Sequence, residues 1–150
     1  MKSKTRIIKN PKKALKEIEK LAKSLKGPDL VKVGLPKGSN YYPDGTSVIM
    51  VGAVHEFGSP ARNIPQRSYL RSTVESNKRS YKDMFKNLSI RIIKGQITKK
   101  EALNLVGLQV QTDVRQKITD IKEPTLKSRE GNPLVDTGHL RQSITYEVED

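Results

Sequence analysis

Apolar side chains recur along this chain at two spacings, one near 3.6 residues and one near 2, and these divide it into helices and strands. Leu15, Ile18, Leu21, Ala22 and Leu25 form one stripe at helical spacing. The segment is punctuated at both ends: Asn10 holds an N-cap position, Pro11 the first helical position, Gly27 the C-terminal stop, and Pro28 follows it. Leu30 to Leu35 alternates around Lys32 and predicts a short strand. A turn-rich segment runs from Pro36 to Ser47, with Tyr41, Tyr42, Pro43 and Asp44-Gly45 inside it. Val48 to Phe57 reads as a short apolar helix stopping at Gly58, and Ser59 to Gln66 holds Pro60 and Pro65, which bar a continuous helix.

From Ser68 the positions Leu70, Val74, Tyr81, Met84, Phe85, Leu88 and Ile92 mark a long helix ending near Gly95. Thr98-Lys-Lys-Glu101 matches a capping box, in which each side chain accepts from the other residue's amide. It opens a further helix with Leu103, Val106, Val110, Val114, Ile118 and Ile121 on its apolar face. Glu123-Pro124 to Pro133 is a polar loop with too few apolar residues to join a core. The last stretch turns around Asp136-Thr137-Gly138 and ends in an alternating run from Ser143 to Val148, expected as a strand. The expected fold is α+β in one domain over 1–150: a small mixed or antiparallel sheet packed against two long helices, with an additional basic N-terminal helix. Residues 1–9 are expected as a flexible basic arm, and 36–47, 59–66 and 122–133 as loops.

Composition narrows the class. Leu, Ile, Val and Phe make up 38 of the 150 residues, above the roughly 20% below which high net charge predicts disorder. The longest apolar stretch, Val48 to Val54, is seven residues, against about 20 for a bilayer span, so no membrane partner is expected. No apolar core follows the basic start as a secretory signal requires. The chain has no cysteine and two histidines, His55 and His139. His55-Glu56 lacks the second histidine of a zinc-protease helix, and Asp136, His139 and Ser143 lack the glycine-flanked elbow of a hydrolase serine. No metal, cofactor or catalytic residue is expected.

Net charge is +13, and residues 1–26 carry ten of the Lys and Arg residues against Glu17 and Glu19. Lys2, Lys4, Arg6, Lys9, Lys12 and Lys13 are therefore candidates to face DNA without sequence preference, beside the plainer reading of a solvated helix face. Tyr41, Tyr42 and Arg62 are of types enriched at protein interfaces and sit on the loops.

Two segments carry a resemblance. Asp44-Gly-Thr-Ser-Val48 with Val51-Gly-Ala-Val-His55-Glu56-Phe57-Gly58, then Ile64-Pro65-Gln-Arg67-Ser-Tyr-Leu70-Arg71, is similar to the neck proteins of tailed phages, also called tail-completion or head-tail joining proteins. Pro133-Leu-Val-Asp136-Thr137-Gly138-His-Leu140-Arg141-Gln-Ser143-Ile144-Thr resembles the C-terminal signature of that family, so the likeness spans roughly residues 30–148. The family pattern has Arg-Pro-Phe-Leu-Arg where this chain has Arg67-Ser68-Tyr69-Leu70-Arg71. The resemblance implies a non-enzymatic virion component, made in the host cytoplasm, forming a homo-oligomeric ring (hexamer or dodecamer) at the head-tail interface. Its expected neighbours are a portal, adaptor or stopper protein on the head side and a tail terminator or tail tube on the other. Glu56, Arg67, Arg71 and Arg141 are then available for ion pairs between subunits. The alternative is a small basic nucleic-acid-binding protein using residues 1–26 as an electrostatic clamp.

Overall fold

The computed structural model describes residues 10–37, 41–125, 130–135 and 137–149. Helix α1 (Pro11–Ser24) leads into strand β1 (Leu30–Gly34), helix α2 (Val48–Phe57), helix α3 (Leu70–Ile93) and helix α4 (Lys99–Asp120). A 3₁₀ turn (Pro60–Arg62) between α2 and α3, the one-turn helix α5 (His139–Ser143) and strand β2 (Thr145–Glu149) complete the order. The architecture is the expected α+β, with β1 and β2 paired antiparallel as a two-stranded sheet. Capping follows the sequence signals: Asn10 Oδ1 accepts from Lys13 N at 3.2 Å, and Thr98 and Glu101 form the complete capping box that starts α4.

Helix α4 is the shared wall. Val31 lies opposite Val148 and Val33 opposite Tyr146, so these four share one sheet face, which is laid on α4. Gly107 permits the approach, because a Cβ there would collide with the Tyr146 ring. Val114 and Ile118 of α4 join Val48, Tyr69, Leu134, Leu140 and Ile144 in the main core, while Ala102 and Val106 pack with Leu88 and Ile92 of α3 in a second cluster. Val110 touches both.

Four details depart from the sequence expectation. Leu140 and Ile144, four residues apart, are both buried because α5 forms a helical turn before β2, with Gln142 N donating to Gly138 O at 3.0 Å. The polar loop reaches the interior at its end: Pro133 is buried, and Asn132 Nδ2 donates to Thr119 O at 2.6 Å while its Oδ1 accepts from Leu134 N and Val135 N, which sets Leu134, just beyond the loop, in the core. On α3, Val74 and Phe85 are 50% and 46% exposed, because they share the helix face that carries Tyr81, Leu88 and Ile92 but line an open trough that no other element covers among the described residues. On α1, Leu15, Ile18 and Leu25 are 59%, 61% and 51% exposed, because the helix meets the rest of the described fold chiefly along α3.

Candidate functional site

The first motif is built around one carboxylate. Helix α3 opens with no acidic residue in its first turn, and its N-cap residue, Tyr69, supplies no side-chain cap. The first amides of such a helix need an acceptor, and its dipole favours an anion there. Glu56, buried near the end of α2, fills that place. Its carboxylate accepts from Tyr69 N and Leu70 N at 2.8 Å, from Ser68 Oγ at 2.7 Å, and from Arg71 N and Nε at 3.2 and 3.0 Å. Ser68, where the resembled pattern has proline, thus adds a hydroxyl donor. Burial pushes the Glu56 carboxyl up, but the bonds from Leu70, Ser68, Arg71 and Tyr69 together outweigh it and hold the group below the usual carboxylate range.

The loop after Glu56 folds back on α2. Gly58 takes φ +76°, and a Cβ there would stand 3.1 Å from Gln66 N, so glycine meets both a backbone and a space requirement. Ser59 N donates to Ile64 O at 2.8 Å, and beyond Pro65 the Arg67 amide donates to His55 O at 2.7 Å. Arg67 is 3% exposed; its Nε donates to Pro124 O at 2.7 Å and Nη2 to Thr125 O at 3.1 Å. It therefore ties the start of the 122–133 loop to the motif. The Arg71 guanidinium lies 4.9 Å over the Phe57 ring, in cation–π range.

The second motif is anchored on α4. Thr137 Oγ1 accepts from His139 N at 3.3 Å, Gly138 sits at φ +76°, and Leu140, Ser143 and Ile144 are buried. Arg141 Nη1 donates to Thr119 Oγ1 at 3.2 Å, while the Ile144 carbonyl accepts from Gln111 Nε2 at 2.8 Å and Arg115 Nη2 at 2.7 Å.

The two motifs meet in space although some 80 positions part them. A pocket of 300 Å³ lies between them, lined by Tyr42, Asp44, His55, Thr137, His139 and Leu140 among others. The Tyr42 and His139 rings are 5.0 Å apart, and Asp44 Oδ1 accepts from Thr46 N at 2.9 Å. His55 Nδ1 and His139 Nε2 are buried without a hydrogen-bond partner, and burial together with the nearby Arg67 charge lowers the His55 pKa. Among the described residues no group of three or more His, Asp or Glu side chains is placed to hold a metal ion.

Glu56, Arg67, Arg71 and Arg141, expected to be available for ion pairs between subunits, all have hydrogen-bond partners within the chain. Glu56 and Arg67 are buried and bonded within the chain, and Arg141 is half-buried against Thr119. Only the Arg71 side chain is largely exposed, and its Nε remains on Glu56. Of the interface candidates, Tyr41 and Arg62 are exposed, whereas Tyr42 is half-buried and packs against the main core. Lys12 and Lys13 are exposed on α1. Lys2, Lys4, Arg6, Lys9 and Asp136 lie outside the described residues. Sequence reasoning missed Tyr69, Gln111, Arg115 and Asn132 as supports of the motifs; the first turn of α3, without an acid of its own, was the one local sign that an anion must come from elsewhere.

Compared with family models, with characterised proteins and with solved structures, the chain matches none.

Proposed function

We propose that this chain is a non-enzymatic structural component of a phage virion that forms a ring at the head-tail interface and joins the DNA-filled head to the tail. Carrying the proposal is the fact that the two segments resembling the neck-protein signatures fold against each other. Glu56, Arg67 and Gly58 of one hold its backbone, Leu140 and Ile144 of the other share a core with Val48 and Tyr69 of the first, and one pocket borders both. The motif charges do architectural work, capping a helix and tying down a loop. The ring would be a hexamer or dodecamer, with a portal, adaptor or stopper protein on one side and a tail terminator or tail tube on the other. A net charge of +13 suits a channel that carries DNA.

One observation favours a second reading, a small basic nucleic-acid-binding protein. Lys12, Lys13, Lys16, Lys20 and Lys23 are all exposed along α1, which is itself loosely attached. Electron microscopy of particles produced without the protein separates the two. Filled heads and free tails that fail to join are expected for the neck component; normal joined particles overturn it and leave the nucleic-acid reading.

A further inference from the structure

Two apolar surfaces of this chain are open in the same molecule. One is the stripe on α1, where Leu15, Ile18 and Leu25 are each more than half exposed. Helices of this length are marginal alone in water, so a 14-residue helix with an open apolar stripe gains most from a cover. The other is a trough of 890 Å³ between β1 and α3 with α4 as its floor, lined by Val31, Val33, Val74, Phe85, Val106 and Val110 among others. Within one chain the stripe is not in the trough. Helix α1 lies at the far end of α3, where a Cβ on Gly95 would stand 3.2 Å from Lys20 Cε.

Length and charge both match. Val74 and Phe85 are eleven residues apart on α3, and Leu15 and Leu25 ten residues apart, which at about 1.5 Å per residue gives roughly 17 and 15 Å. At 100° per residue, Glu17 and Glu19 flank the α1 stripe, while Lys13, Lys16, Lys20 and Lys23 fall on the opposite face. The α3 side of the trough has the reverse sign. Arg71, Lys78 and Lys82 lie next to Val74 and Phe85 on the helix surface, with Glu75 among them, 3.7 Å from Lys78. A docked α1 would set its apolar stripe on the valines, one of its two flanking carboxylates toward this basic rim and its lysines toward solvent.

We infer that α1 of one copy of this chain docks in the β1–α3–α4 trough of a second copy. Stripe and trough are different patches, so the contact is heterologous, and each copy offers one of each to its neighbours. The inference deepens the ring proposal, on which it rests for closure of the assembly but not for the contact itself.

The chain has no cysteine, so introduced thiols report the contact directly. Ile18→Cys and Val74→Cys proteins, full length and shown by circular dichroism to melt like the parent, are mixed and oxidised. Cross-linked dimer is expected in the mixture at least about tenfold above either protein alone and above Ile18→Cys mixed with the exposed α4 control Thr112→Cys. The double variant is expected to give a ladder of cross-linked oligomers. A cross-link confined to monomers of the double variant, meaning α1 enters its own trough, overturns the inference, as does Ile18→Cys pairing mainly with itself. Glu17→Lys with Glu19→Lys should cut the yield about tenfold, and Lys78→Glu with Lys82→Glu on the other copy should restore it; no restoration overturns the docking orientation. Virion rings that survive Ile18→Asp overturn this contact and leave the ring proposal standing. Cross-linking in a protein that joined particles do not need leaves the contact and removes the ring.

Discussion

Glu56 turns the end of one helix into the beginning of another, and its removal should be felt more than that of any other motif charge. Glu56→Gln keeps the shape but places an NH₂ among five donors, and should cost about 3 kcal/mol in urea unfolding. The pH dependence has a definite sign. A carboxyl held below its ordinary pKa in the folded chain stabilises it above about pH 4.5, and that contribution is lost as pH falls through the lowered folded value. His55 acts in the same direction at higher pH: its folded pKa is also lowered, so stability is lost on acidification from about pH 6.5 downward as the unfolded chain takes up the proton first. Two acid limbs are therefore expected in the melting temperature. Glu56→Gln should flatten the lower one and His55→Gln the upper one; a single limb unchanged by both substitutions contradicts these assignments.

At the scale of elements, helix starts show what was legible. The α4 start is written locally in Thr98 and Glu101, and Thr98→Ala should cost about 1 kcal/mol with no change in secondary structure at low temperature. The α3 start is written thirteen residues upstream, in Glu56, where local pattern shows only a charged residue at the end of an apolar helix. The turn segment between β1 and α2 divides in the same way. Tyr41 and Tyr42 look equivalent in sequence, yet Tyr41 is 56% exposed while Tyr42 lies against His139 and the core. Tyr41→Ser should leave the melting temperature unchanged, and Tyr42→Ser should lower stability by about 1–2 kcal/mol. Tyr41 alone therefore remains the residue to alter when seeking a surface role for this segment.

For the whole molecule, the unequal distribution of +13 has a measurable consequence. Binding to mixed-sequence duplex DNA should be weak, indifferent to sequence and steeply reduced by salt. Removing residues 1–9 strips Lys2, Lys4, Arg6 and Lys9, which should lower the slope of log affinity against log salt by up to about 3–4. Tight binding to one sequence at physiological salt would contradict this and favour the nucleic-acid reading. In the ring, α1 would serve two surfaces at once, its apolar stripe toward a neighbouring copy and its lysines outward.

The sequence by itself determined where the four longer helices and the two strands form, because spacing, capping residues, prolines and glycines act over a few positions: Pro11 and Gly95 bound helices α1 and α3, and Lys32 alternates with Val31 and Val33 in β1. It also determined the α+β class and the large surface charge. Tertiary structure alone decided which apolar faces are covered. Val74 and Leu15 carry the same pattern signal as Tyr81 and Leu21, but burial depends on whether another element arrives over that face, and the spacing within one helix holds no information about that. It also decided which charges face inward. A carboxylate such as Glu56 or a guanidinium such as Arg67 is buried only where a helix end or loop carbonyls from a distant segment replace the water it loses.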